Sequence, residues 1–330
     1  MKHPKQTVGF IGLGTMGGPM ALNIIANGFQ LVVNDLDENA ASPHLQQGAV
    51  WADTPRQVAE QSDVVLTCLP SVEAVEQVSL GPDGVLAGMS KGKPHFEMST
   101  TSPQCVAEMH GAYDAKNLHY LDAPITGGAI GAQKAKLTIF VGGDKASFDR
   151  FLPILEAFAD RQIHLGPSGT GIVTKLVNNC AGQTLTVVLA EIFALGLKAG
   201  AEPLPLWEAL RSGASGRRRT FDIMIDEFLP GHFSPPNAAL SIYHKDMMAA
   251  TELGRDLNVP MRFANLALAE YNEAMSRGLG DHDGRVAMTL PLERVGLKVA
   301  EDPKAIEEIL KRDPPAASDS KRGAEPKAKS

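Results

Sequence analysis

Residues 7–17 read TVGFIGLGTMG, a short apolar run that breaks into three glycines, Gly12, Gly14 and Gly17, just before a helical pattern begins. In a strand-turn-helix setting each glycine has its own use. Gly12 permits the tight turn, Gly14 lets a pyrophosphate reach the backbone, and Gly17 lets the helix pack against the strand. The helix N-terminus then meets the anion with unpaired N–H groups and the positive end of its dipole. Asp35 follows Gly17 by eighteen residues, at the end of the next apolar run, Leu31–Asn34. A carboxylate there accepts hydrogen bonds from the adenosine ribose hydroxyls and repels a 2′-phosphate, so the pattern points to a dinucleotide, with NAD preferred over NADP. Thr15 and Met16 inside the turn and Asn34 beside Asp35 complete that expected cofactor-binding set. The competing reading is a plain glycine turn beside a solvated acidic cluster of Asp35, Asp37 and Glu38.

Working outward, strand-like runs at Thr7–Ile11, Leu31–Asn34, Val64–Leu69, His95–Met98, Tyr120–Asp122 and Leu137–Val141 alternate with helical patterns at 15–27, 55–60, 71–79, 103–116 and 145–158. That alternation predicts an α/β, doubly wound, Rossmann-type domain over residues 1–166, with sites at the carboxyl ends of its strands. After Gly166-Pro167 the strand-like runs stop. Helical periodicity takes over to about Lys311, which predicts an all-α substrate and oligomerisation domain over 167–313. The stretch Ile172–Ala199 is apolar around most of its circumference, so it is expected to be a central, largely buried helix that a second subunit helps to cover. A homodimer or homotetramer is therefore expected. Residues 314–330 are rich in Pro, Ser, Ala and charge and are expected to form a disordered tail.

Composition limits the partners. The 330 residues carry 31 Lys and Arg against 38 Asp and Glu, a net charge of −7 that disfavours nucleic acid and anionic lipid surfaces and leaves small molecules. No stretch has the roughly 18 uninterrupted apolar residues of a membrane span, because Glu191 interrupts the greasiest helix, and the start MKHPKQTVGF has no signal-peptide pattern. The three cysteines, Cys68, Cys105 and Cys180, lack metal or redox spacing, which fits a reducing compartment and predicts a cytoplasmic protein. The nine histidines are dispersed; His119, His164 and His244 read as surface or core residues, and no metal is expected.

Two further motifs carry chemistry. Asp122-Ala123-Pro124-Ile125-Thr126-Gly127-Gly128 leaves a strand end, where consecutive glycines after a hydroxyl can turn backbone N–H groups toward a carboxylate. A flexible glycine-rich connection reads equally well there. At the start of the long helix, Lys175, Asn178 and Asn179 stand at i, i+3 and i+4 and share one face. A lysine partly desolvated near a helix N-terminus has its pKa drawn toward the range useful for proton transfer; the alternative is a lysine snorkelling from a domain interface.

In this order and at these separations the three motifs resemble the β-hydroxyacid dehydrogenase family, over about residues 7–297. The resemblance implies that Lys175 is the general acid/base, that Asn179 hydrogen-bonds and positions the substrate, and that Thr126, Gly127 and Gly128 hold its carboxylate. It adds Leu69 and Pro70 of the loop beside the cofactor, Ser99-Thr100 with Thr100 near the nicotinamide ribose, and Lys245 of His244-Lys245-Asp246, which closes the site on substrate and cofactor. Thr126 departs from the usual serine, keeping the hydroxyl but adding a methyl group to the pocket. The implied activity is NAD-dependent oxidation of the hydroxyl β to a carboxylate. Imine reduction, or dinucleotide binding without catalysis, are the competing functions; both fit poorly with the presence of Lys175 and Asn179. A phosphogluconate-type decarboxylase normally has a much longer helical half. Outside the family pattern, Arg217, Arg218 and Arg219 form either a solvated face or a grip for a second anionic group, which would favour a dianionic substrate.

Overall fold

In the computed structural model, residues 6–312 and 314 are described, apart from Arg218, Leu257 and Val295. Beyond Pro314 the expected tail lies outside the described residues. Nine strands form one sheet: β1 (Thr7–Ile11), β2 (Gln30–Asn34), β3 (Val50–Trp51), β4 (Val64–Thr67), β5 (Pro94–Glu97), β6 (His119–Asp122), β7 (Ile125–Thr126), β8 (Leu137–Gly142) and β9 (Ala159–Gly166). Their order is β3-β2-β1-β4-β5-β6-β8-β7, with β9 pairing β8. The path from β3 to β6 is parallel, β8 runs antiparallel to β6 and β7, and β9 is parallel to β8. The reversal between β2 and β4 about β1 places the glycine turn at the switch point of the sheet, where such folds open a ligand crevice.

Alternate strand residues feed separate cores. Val8, Phe10, Val33, Leu66 and Phe96 pack with Met20, Ala21 and Ile24 of the helix Gly17–Ala26 on one face. Ile11, Val32 and Val65 pack with Val58 and Ala59 of the helix Pro55–Gln61 on the other. Both faces are therefore covered, which is why β4 reads Val-Val-Leu-Thr without polar alternation.

The strand nearest the crevice is shorter than its apolar letters predict. β4 ends at Thr67; the Cys68 N–H still donates to the Ile11 carbonyl of β1 at 3.0 Å, but the Leu69 N–H turns away to the hydroxyl of Ser99 at 2.7 Å. β3, β7 and β9 were not legible as strands. Their residues are few or, in β9, a mixed run of polar and apolar residues without regular alternation.

Two compact units follow one another, Met1–Gly182 and Gln183–Ser330, so the opening turns of the long helix Thr170–Lys198 belong with the sheet. In the second unit the described elements are helices, with one isolated bridge between Ala239 and Asp283. Leu240, Ala274, Val286, Ala287 and Leu290 form its core. Buried Arg285 ties Glu227 at 3.1 Å to Asp283 at 2.9 Å. Glu191 has a use inside its apolar helix: its carboxylate accepts the N–H groups of Phe263 and Ala264, both at 3.1 Å, and so caps the helix Arg262–Ser276. In the single chain Val173, Leu176, Val177, Leu189 and Ile192 of the long helix are exposed. No helix among the described residues is long and apolar enough to cross a membrane.

Candidate active site

The glycine turn opens on a cleft of about 1040 Å³. Gly12, Gly14, Thr15, Met16, Gly17, Asn34, Asp35, Leu69 and Pro70 all line it, so nine of the predicted cofactor residues meet in one place. The three glycines are not equivalent. A Cβ on Gly12, whose φ is +93°, would overlap the Cys68 carbonyl oxygen, and one on Gly17 would overlap that of Gly12. Around Gly14 a Cβ would meet nothing within 4 Å, so the space above its backbone is free for a ligand. Asp35 is aimed at this turn: its carboxylate accepts the Leu13 N–H at 2.6 Å and the Asp37 N–H at 2.9 Å, leaving a lone pair on each oxygen for ribose hydroxyls. Leu36 beside it is fully exposed at the cleft, and Trp51 lines the same wall; sequence reasoning missed both. Together the open turn, the carboxylate and the apolar wall fit an adenine dinucleotide. The Asn34 amide group is committed elsewhere, donating to the Ala52 carbonyl at 2.8 Å.

Asp122, the last residue of β6, organises the remaining predicted residues of the first unit. It is buried, and its two oxygens accept the Gly169 N–H at 2.8 Å and the Ile172 N–H at 2.7 Å, so it caps the long helix from the sheet. Gly171 allows the approach, since a Cβ there would collide with the carbonyl oxygens of Asp122 and Phe140. Three residues beyond Ile172 stands Lys175, only 9% exposed. Desolvation holds its pKa below the ordinary lysine value. Asn178 and Asn179 are half-buried and linked by a long 3.4 Å hydrogen bond.

On the other side of Asp122, four residues along, Thr126 ends β7. Gly127 and Gly128 follow with φ of +127° and +65° and are exposed, so the turn presents its backbone to solvent. Thr100 is exposed after β5 but does not line the cleft. Lys245 is exposed on the helix Leu240–Asp256 of the second unit. Arg219 pairs with Asp222 at 3.5 Å and donates to the Pro314 carbonyl; Arg218 lies outside the described residues.

Sequence reasoning also missed Glu97, although a lone carboxylate in HFEMS was the signal. It is 1% exposed; the Thr67 hydroxyl donates to it at 2.6 Å and the Ser99 N–H at 2.8 Å. Thr67 is in turn bonded to His95 Nε2, and His95 Nδ1 to the Tyr113 hydroxyl, each at 2.7 Å. Burial pushes the Glu97 pKa up to about 7 and the His95 pKa down to about 3. Their effects on stability oppose each other. His95 contributes above its ordinary value of 6.5, and that contribution is lost as pH falls toward 3; Glu97 contributes below 4.5, and that is lost as pH rises through 7. Between pH 4.5 and 6.5 the two slopes cancel. Glu97→Gln removes only one, so relative to it the native protein loses about 3 kcal/mol between pH 4.5 and 7. Urea melts at both pH values check this, and parallel profiles for the two proteins would contradict it.

Cys68 and Cys105 are free thiols, with burial raising their pKa values to about 12 and about 11. Among the described residues no group of three His, Cys, Asp or Glu could hold a metal ion. His119 lies near Asp144, His164 bonds the Gly143 carbonyl and His244 bonds Asn272.

Residues 7–166 match the family model of the NAD-binding domain of 6-phosphogluconate dehydrogenase, and residues 169–290 that described as NAD-binding of NADP-dependent 3-hydroxyisobutyrate dehydrogenase. The 2-(hydroxymethyl)glutarate dehydrogenase of Eubacterium barkeri is 33% identical over 293 residues, 89% of this chain and 97% of its own. The crystal structure of 3-hydroxyisobutyrate dehydrogenase from Salmonella typhimurium is 29% identical, with a TM-score of 0.56 over 86% of this chain and 99% of that one. An imine reductase from Myxococcus stipitatus, a V8 variant in complex with NAD+, has a TM-score of 0.73 over 86% of this chain and 99% of its own; at 18% identity it shares the fold alone. Fold and cleft thus define an oxidoreductase that uses a nicotinamide dinucleotide. The chain belongs to the β-hydroxyacid dehydrogenase family, with the 3-hydroxyisobutyrate dehydrogenases among its members.

Proposed function

We propose that this enzyme oxidises the hydroxyl β to a carboxylate on a small acid, with NAD as cofactor and Lys175 as general acid/base. The observation that carries the reading is Lys175 itself: a buried lysine with a lowered pKa, held in register with the Thr126-Gly127-Gly128 turn through Asp122. The turn receives the substrate carboxylate on its exposed N–H groups, Asn179 orients the hydroxyl, and the neutral amine of Lys175 takes the hydroxyl proton. A bound nicotinamide supplies the hydride acceptor. Gly12, Gly14, Thr15, Met16 and Gly17 would hold the diphosphate end, Asp35 the adenosine ribose with Asn34 behind it, and Leu69, Pro70 and Thr100 the other half. Lys245 is proposed to close over substrate and cofactor.

Residues 1–166 serve as the cofactor domain in this reading, and 167–313 as the substrate and oligomerisation domain. The exposed apolar residues Val173, Leu176, Val177 and Leu189 support a homodimer or homotetramer, and the free thiols support a cytoplasmic location. The substrate named for the Eubacterium barkeri relative carries two carboxylates. That fits a second anion held by Arg217, Arg218 or Arg219, so dicarboxylates belong in the assay.

Cofactor reduction with NAD and NADP, over a panel of mono- and dianionic β-hydroxyacids, tests the reading. Turnover should favour NAD by about a hundredfold in kcat/KM, a difference of about 3 kcal/mol, because Asp35 repels a 2′-phosphate. Asp35→Arg should bring the two cofactors within about tenfold. An unchanged preference in that variant removes Asp35 from the argument. Silence with every hydroxyacid, and reduction of imines instead, would replace the reaction proposed.

A further inference from the structure

The buried Glu97 has no place in the reaction just proposed, yet it is expensive to keep. Its neighbours Phe96 and Met98 point apolar side chains into the core on the other face of the sheet, and no cation pairs with Glu97 among the described residues. What the carboxylate holds is backbone. The Ser99 N–H donates to Glu97 Oε1 at 2.8 Å, and the Ser99 hydroxyl in turn accepts the Leu69 N–H at 2.7 Å. Two loops, one leaving β4 and one leaving β5, are thereby joined at the carboxyl end of the sheet.

The sheet order says what these loops face. Asp35 follows β2, on one side of the glycine turn after β1, while β4 and β5 lie on the other side. A dinucleotide with its diphosphate at the turn and its adenosine at Asp35 must extend its nicotinamide half across the ends of β4 and β5. Leu69 and Pro70 line the same cleft as Gly14 and Asp35. We propose that Glu97 is a positioning residue for the nicotinamide half of the cofactor, acting through Ser99 on the Leu69-Pro70 loop. This rests on the dinucleotide reading of the cleft but not on the identity of the oxidised substrate.

The remaining contacts explain why the side chain does not drift. Thr67 holds Glu97 Oε2, His95 holds Thr67 and Tyr113 holds His95. Every hydroxyl or ring N–H in this series can donate in either direction, so the geometry survives protonation of the carboxylate: donors run from Tyr113 toward Glu97 when it is ionised, and back toward Tyr113 when it is not. Glutamine reproduces the second arrangement; leucine reproduces neither.

Calorimetric titration with NADH and with ADP-ribose, which lacks the nicotinamide, tests the proposal. Glu97→Leu should weaken NADH about tenfold and ADP-ribose less than twofold, and Glu97→Gln should restore NADH to within threefold of the wild type. Ser99→Ala, which leaves the carboxylate in place but removes the acceptor of the Leu69 N–H, should reproduce the same split if the leucine variant does not fold. Equal weakening of both ligands in the folded variants, or no weakening of NADH, overturns it. Wild-type protein that binds both ligands but oxidises no hydroxyacid would refute the reaction proposed above and leave this proposal standing.

Discussion

Lys175→Ala binds NADH within twofold of the wild type and turns over its hydroxyacid at least about a thousandfold more slowly. The magnitude follows from losing a positioned proton acceptor, which typically contributes a factor of about 10² to 10⁴. Binding is spared because Lys175 does not line the cleft that begins at Gly14. Arginine should not rescue, since its guanidinium keeps the charge but cannot give up its proton near neutrality. In the wild type, oxidation requires the neutral amine, so its rate should rise with pH through a pKa below the ordinary lysine value; reduction requires the ammonium form and should fall over the same range. Stopped-flow and steady-state rates in both directions check this. Residual turnover within tenfold of the wild type would mean that another group carries the proton.

Asp122→Ala is expected to cost about 2–6 kcal/mol, enough to unfold a marginal protein, because the N–H groups of Gly169 and Ile172 are left without acceptors at about 1–3 kcal/mol each. Asp122→Asn keeps the shape but turns an amide N–H₂ toward one of those donors, so it should recover only part of the loss. Desolvation raises the pKa of Asp122 against the pull of the same backbone hydrogen bonds, so its contribution to stability is fullest at acid pH and is lost as pH rises through that raised value. Chemical denaturation of the three proteins at neutral pH measures the effect. If Asp122→Ala folds, its kcat should still fall at least tenfold, since the turn that carries Lys175 has lost its tether. Full stability and full activity together would show the anchor to be dispensable.

The parts of this site that depend on local spacing were readable from the sequence. The glycine turn, Asp35 and the Lys175-Asn178-Asn179 face each lie within a single strand end or helix, where period and steric need act over a few residues. Asp122 was visible as a letter in its motif, but its partners sit 47 and 50 positions away, and no periodicity reports such a contact. Glu97 has Ser99 two residues away, but Thr67, which links it to His95, reaches it only through the pairing of β4 with β5. The extension of β4 to Leu69 failed for a related reason: Cys68 and Leu69 are apolar enough to continue a strand, but Ser99 draws the backbone away. The long helix is a different case. Its apolar circumference announces burial without saying which chain does the burying.

The tether from Asp122 bears on how such an enzyme can change its diet. The turn proposed to hold the carboxylate, the lysine proposed to move the proton and the residue that sets one against the other all lie before Gln183. In the proposed reading, in which residues 167–313 serve as the substrate domain, mutations among residues 183–330 can explore new acids without having to reinvent proton transfer each time. A directed-evolution library built there, with 122–128 and 169–179 held constant, should return altered substrate range far more often than loss of chemistry.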